Sequence, residues 1–299
     1  MAAKSRTGRR RSAPPTAAQG EGKPVWKEVE ERESRKVRNR VRKRRTNRRR
    51  LAVVYDIDGP RVRLGILWFL VTGTALLFGP LALALVYGAT AGVAAAQTAT
   101  AFRKLGRRAN REAAAAIAAA LPLAAAVTTG LLGVAILAGV GLTVFLAVSR
   151  AATARRATPI ADAALTIRCW LFVGFAASCV VIADRFAIGG GVGLVLLVAA
   201  YETGDYIIGS GARNPYEGPV AGAAAILVVT FAITALGIEP FTFPASFALG
   251  AMAAVLCPAG QLMASAILPS VTAPAPAMRR LDSLLLLAPA WAFVIGRLV

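Results

Sequence analysis

The 299-residue chain contains no histidine, and it has only three cysteines and fifteen acidic side chains against thirty-five Lys and Arg. The missing histidine excludes Ser-His-Asp and Cys-His catalysis and histidine-ligated zinc, so any catalytic metal has to rest on oxygen ligands. Cys169, Cys179 and Cys257 each fall inside an apolar run. They read as small hydrophobic residues and not as a disulfide framework. What the chain has in abundance is apolar surface: 57 % of residues are hydrophobic and mean hydropathy is +0.60. A soluble domain of this size is less apolar and scatters its charges. Here they are segregated, with 21 of the 35 cations lying before Leu64.

That segregation divides the chain into a basic tail, residues 1–62, and a polytopic membrane domain, residues 63–299. Residues 1–24 are rich in Ala, Pro, Gly, Ser and Thr and are expected to be disordered. Residues 26–50 become almost purely basic, and Trp26, Val29, Val37 and Val41 are too few to bury a helix face. A juxtamembrane polybasic segment is held in the cytoplasm and attracted to anionic headgroups. That reading is preferred to nucleic-acid binding, because the tail has one Trp and one Tyr, no recognition module, and adjoins a span. No signal peptide is expected, since the first apolar run begins only at Leu64.

Runs of about 20 apolar residues between charged or Gly/Pro breaks mark membrane spans. Leu64–Phe102, interrupted at Gly79-Pro80, reads as one hairpin, and Ala113–Thr128 with Leu131–Ser149, separated by Thr129-Gly130, as a second. Leu165–Ala183, Ile188–Ile208, Pro219–Leu236, Phe243–Leu268 and Leu284–Val299 follow. The expected fold is all-α with about nine spans, rich in the Ala and Gly that let membrane helices approach closely. With a cytoplasmic N-terminus, every inner loop (103–112, 150–164, 209–217 and 269–283) carries cations. The outer connections hold only Asp184, Arg185 and Glu239, so the chain obeys the positive-inside rule. The expected location is the plasma (inner) membrane, with both tail and site cytoplasmic. Arg168, just inside the fifth span, reads as a side chain snorkelling to the headgroups.

Polar residues within or beside spans are costly and point to function. Three groups stand out: Tyr201-Glu202-Thr203-Gly204-Asp205-Tyr206 with Gly209 and Asn214-Pro215-Tyr216-Glu217-Gly218; Gly260-Gln261-Leu262-Met263-Ala264-Ser265; and Arg279-Arg280-Leu281-Asp282-Ser283. All end on the cytoplasmic side of the derived topology. They read either as a shared polar site or as separate interfacial helix ends.

In order and spacing these groups resemble the C-terminal half of the phosphatidate cytidylyltransferase (CDP-diacylglycerol synthase) family. The family's Asp-x-Gly-Ala-Tyr-like stretch is similar to Glu202 through Tyr206 with Gly209. Its Lys-Thr-x-Glu-Gly-x-x-Gly-Gly stretch is similar to Asn214 through Gly218 with Gly222. Gly-Asp-Leu-x-Glu-Ser is similar to Gly260 through Ser265, and Asp-Arg-Leu-Asp-Ser to Arg279 through Ser283. The resemblance covers roughly residues 64–299 and implies transfer of CMP from CTP to phosphatidate, with release of pyrophosphate. Such chemistry needs Mg²⁺ on hard oxygen ligands and cations against the leaving pyrophosphate. The resemblance implies Glu202, Asp205, Glu217 and Asp282 as catalytic groups, with Glu202 and Asp282 as metal ligands. Tyr206, Gly209, Asn214, Gly218, Gly260, Gln261, Ser265, Arg280 and Ser283 would line the substrate site.

The chain also departs from the family. Gln261 replaces the metal-binding Asp of Gly-Asp-Leu, and Arg279 the first Asp of Asp-Arg-Leu-Asp. Asn214 replaces a Lys, and a basic loop is shortened around Leu268-Pro269-Ser270. An amide coordinates Mg²⁺ weakly, and Arg279 would repel a metal and pair with Glu202, Glu217 or Asp282. Three functional readings follow. The first is a diverged relative, linked to phospholipid metabolism, that keeps the fold without standard Mg²⁺-dependent transfer and binds anionic lipid or nucleotide or scaffolds partners. The second is an active CTP-dependent lipid nucleotidyltransferase with a rearranged site. The third is a small transporter, disfavoured because the polar residues gather at one face. Expected partners are membrane lipids, anionic headgroups at the tail, CTP and phosphatidate if the site is active, and a second copy of the chain.

Overall fold

The computed structural model describes residues 61–153, 158–210, 214, 216–271 and 273–299; the basic tail up to residue 60 lies outside them. The described residues contain no strand and fold into nine α-helices. They are α1 (Arg61–Leu77), α2 (Pro80–Lys104), α3 (Arg111–Val127), α4 (Thr129–Thr153), α5 (Pro159–Phe186), α6 (Ile188–Gly209), α7 (Glu217–Ala235), α8 (Phe243–Ile267) and α9 (Leu284–Leu298), with a 3₁₀ turn at Met278–Arg280 before the last. Six of them (α2, α4, α5, α6, α7 and α8) are long and apolar enough to cross a membrane. At 17, 17 and 15 residues, α1, α3 and α9 reach only about 22–26 Å at 1.5 Å per residue.

The breaks follow from local chemistry. Gly79 takes a φ of 92° and Pro80 opens α2, as expected where a fixed φ and a missing N–H suit the first helical position. The second hairpin turns one residue earlier than its Thr-Gly pair implies. Thr128 is extended, and its hydroxyl accepts from the Leu131 N–H at 2.9 Å, capping α4 as an N-cap threonine does. Gly130 is left inside the helix.

Close approach of small residues organises the packing. On α2, a Cβ on Gly88 would stand 2.8 Å from the Ala119 carbonyl oxygen, and one on Gly92 3.0 Å from that of Ala115, so α2 and α3 meet backbone to backbone. Helix α5 is the most buried of the six long helices and packs against α2, α3, α4, α6 and α9. Its Trp170 is fully buried and donates through Nε1 to Thr143 Oγ1 at 3.2 Å. Trp291 of α9, equally buried, donates to the Gly190 carbonyl at 2.8 Å. The three cysteines are free and buried. Large apolar side chains remain exposed along α4, among them Leu137 and Phe145.

Two arginines close helix C-termini across the bundle. Arg185 of α5 donates to the Ala125 carbonyl of α3 at 3.0 Å. Arg168, earlier in α5, donates through Nε to the Ile267 carbonyl at 3.1 Å and through Nη2 to that of Ala266. Its guanidinium lies 5.3 Å from the centre of the Phe102 ring. The Arg168 side chain therefore satisfies the orphan carbonyls of α8 and complements its dipole, a specific role beyond snorkelling. It also ties the C-terminal ends of α2 and α8 to one end of the bundle.

Candidate functional site

At that same end, three stretches separated in sequence converge: the last turns of α6, the second half of α8, and the segment 278–283 that leads into α9. Glycines make the convergence possible. A Cβ on Gly260 would collide with the Asp282 carbonyl oxygen, and one on Gly222 would stand 2.6 Å from the Tyr201 ring. Gly204 lies as close to α7, 2.7 Å from the Ala221 carbonyl oxygen by the same measure.

Gln261 occupies the centre. It is buried, accepts from the Tyr201 hydroxyl at 3.3 Å, and donates through Nε2 to Asp205 Oδ2 at 3.2 Å. Its amide thus presents an acceptor to one buried partner and a donor to the other, which a carboxylate cannot do without a proton. One turn on, Ser265 Oγ donates to the Gln261 backbone carbonyl at 3.1 Å.

Asp282 is buried beside it. Its Oδ1 accepts from the Ser283 N–H at 2.8 Å and lies 3.4 Å from Ser283 Oγ, while Oδ2 is 3.8 Å from Arg279 Nη1. Arg279 is itself held by a 3.1 Å bond from Nη2 to the Val271 carbonyl. Burial pushes the Asp282 carboxyl up to about 6, against the lowering pull of Arg279 and the Ser283 N–H, and Asp205 adds to the rise. Glu202, half-buried, has Asp282, Arg280, Ser283 and Asp205 as its charged and hydrogen-bonding neighbours. Arg280 reaches across to α1, its Nη1 3.7 Å from where a Cβ on Gly65 would stand.

The structure brings together Glu202, Asp205, Gly260, Gln261, Ser265, Arg280, Asp282 and Ser283, and separates the others. Glu217 opens α7, where its Oε1 accepts from Asn214 Nδ2 at 2.9 Å and from the Asn214 N–H at 3.3 Å. That pair is a local contact just before α7, and Gly218 behind it is buried. Tyr206 is 38 % exposed, and Gly209 ends α6, buried.

The donor set does not fit Mg²⁺ well. Among the described residues no group of three or more Asp, Glu or Cys is placed to hold an ion. Of the two expected ligands, Asp282 is already engaged by Arg279 and Ser283. The central position carries an amide, a poor partner for a hard cation.

Two contributors lie outside the expected site residues. Gln97 of α2 accepts from the Ala277 N–H at 3.0 Å, fixing the loop that carries Arg279 and Asp282. Tyr201 supplies the hydroxyl for Gln261. Gln97 did carry a signal, as the one amide side chain within a long Ala/Thr-rich apolar run. No protein-family model matches the chain, and no curated protein matches its sequence.

Proposed function

We propose that this chain is a multi-pass protein of the plasma (inner) membrane, with nine spans and a cytoplasmic N-terminus, built on a phosphatidate cytidylyltransferase-like fold. In this reading it is linked to phospholipid metabolism but has lost standard Mg²⁺-dependent cytidylyl transfer. The observation that carries the proposal is the self-satisfied polar cluster. Arg279 stands 3.8 Å from Asp282, and Gln261 is engaged by Tyr201 and Asp205. A cation therefore belongs to the protein where a metal would be needed, and Asp282 is paired from within. Both Arg279 and Gln261 depart from the family pattern at positions where the family keeps carboxylates, so the two lines of argument bear on the same residues.

The test is purified protein in phosphatidate-containing micelles with Mg²⁺ and labelled CTP. No labelled lipid is expected. Mg²⁺-dependent turnover that Asp282→Ala abolishes would overturn the proposal in favour of an active lipid nucleotidyltransferase. One observation favours that second reading: Glu202, Asp205 and Asp282 are electrostatic neighbours beside Arg280. In it, Arg280 steadies phosphate charge and the lipid phosphate is the nucleophile, so positioning matters more than a strong base.

A further inference from the structure

We propose that the loop joining α2 to α3 is a docking surface for the phosphate groups of anionic phospholipids. Between residues 103 and 111 the chain places five cations, Arg103, Lys104, Arg107, Arg108 and Arg111. All five are exposed, and among the described residues none of them takes part in an ion pair. The acid that follows in sequence, Glu112, sits in the first turn of α3, where the helix N-terminus already favours it. The patch is therefore strongly positive and uncompensated by the fold.

Its backbone is fixed at both ends. At the α2 end Gly106 takes a φ of 75°. Its N–H bonds the Arg103 carbonyl at 3.0 Å, and the Arg107 N–H bonds that of Phe102 at 3.1 Å. This is the paired pattern of a Schellman cap. At the α3 end Asn110 Oδ1 accepts from the Ala113 N–H at 3.3 Å, an N-cap. The Asn110 N–H donates to Thr166 Oγ1 on α5 at 3.0 Å. A loop held at three points presents its cations without first paying the ordering entropy that a flexible basic segment loses on binding.

The choice of a lipid over a soluble phosphate or a nucleic acid rests on Leu105. This side chain is 64 % exposed in the middle of the cations, at the end of an apolar helix. That arrangement suits the headgroup–acyl boundary, where apolar groups enter and cations meet phosphate. The loop offers no aromatic side chain on which a base would stack, and the adjacent Phe102 ring is covered by Arg168. The inference rests on the membrane reading but not on whether the neighbouring cluster turns over a nucleotide.

The test uses the full chain in detergent, titrated separately with dioleoyl-phosphatidylglycerol and dioleoyl-phosphatidylcholine, with bound lipids counted by native mass spectrometry. The wild type should retain the anionic lipid preferentially. Arg103→Gln/Arg107→Gln/Arg108→Gln should weaken phosphatidylglycerol binding about tenfold or more and leave phosphatidylcholine unchanged. A tail variant, Arg48→Gln/Arg49→Gln/Arg50→Gln, should keep the anionic preference. Equal retention of the two lipids by the wild type, or wild-type binding by the loop variant, would overturn the proposal. So would displacement of the lipid by equimolar inorganic phosphate, which would assign the surface to a soluble anion. If the triple variant fails to fold, Arg107→Glu alone carries the test, with Arg107→Lys expected to restore binding. A chain that stays soluble and monodisperse without detergent would instead sink the membrane reading itself.

Discussion

Arg168 Nε donates to the Ile267 backbone carbonyl at 3.1 Å, so a cation in the first turns of α5 closes the C-terminus of α8. The guanidinium spans two successive carbonyls and covers Phe102, a fork that a single ammonium does not reproduce. Because the side chain is exposed, water takes over part of its role once it is removed. Arg168→Ala should cost about 1 kcal/mol of stability, and Arg168→Lys should recover less than half of that. Thermal unfolding in a fixed detergent measures both. Equal midpoints for wild type and Arg168→Ala would show that the contact contributes nothing.

Gly204 and Gly133 give opposite expectations for the same substitution. Alanine in a helix interior gains up to about 1 kcal/mol over glycine. At Gly204 the added Cβ meets the Ala221 backbone oxygen at 2.7 Å, and overpacking costs about 1–3 kcal/mol. Gly204→Ala should therefore destabilise. Gly133 on α4 has nothing within 4 Å of its added Cβ, so Gly133→Ala should be neutral or mildly stabilising. Denaturant midpoints compare them, and the reverse order would refute the crossing geometry.

Stability should depend on pH through Asp282. Its folded value of about 6 lies above the ordinary 3.8, so the native state holds the proton more tightly than the unfolded chain. Stability is then greatest at the acid end and falls as pH rises from about 4 through about 6, by at most about 3 kcal/mol. Asp282→Asn, which imitates the protonated form, should flatten that fall. Arg279→Gln removes a lowering influence and should move the window upward. The readout is the unfolding midpoint against pH, and an Asp282→Asn profile parallel to wild type would contradict the assignment.

Introducing carboxylates should convert the cluster into a metal site. Gln261→Asp with Arg279→Asp adds two anions to the neighbourhood of Asp205 and Asp282, so the variant should be less stable than wild type without metal. Saturating Mg²⁺ should return about 1–3 kcal/mol, with no comparable rise in the wild type. Identical Mg²⁺ responses would mean that Gln261 and Arg279 are not what excludes the ion.

The helices were legible in the sequence because their signals are local. Apolar runs and the Gly79-Pro80 break mark the helices, six of which are long and apolar enough to cross a membrane, and the second hairpin's turn moved to the side-chain cap of Thr128. The candidate site was legible as a set of costly polar residues, but its membership was not. Glu217 carries the same charge as Asp282 in sequence, yet it is engaged by its local neighbour Asn214, whereas Asp282 is buried in the segment that Gly260 packs against.

The sequence by itself determined an all-α chain with long apolar helices, a segregated basic tail and a set of polar residues, Gln261 and Arg279 among them, beside its apolar runs. Tertiary structure alone decided that Gln261 stands between Tyr201 and Asp205, whereas Arg279 meets Asp282 locally, three residues along the same segment. It also decided that Arg168 closes a helix far along the chain and that Gln97 holds the loop before α9. The pairings of Gln261, Arg168 and Gln97 join residues far apart in the chain, and their register depends on which glycines let two backbones approach. Side-chain and backbone contacts of that kind have no periodicity within any one segment, so they emerge only once the helices are packed.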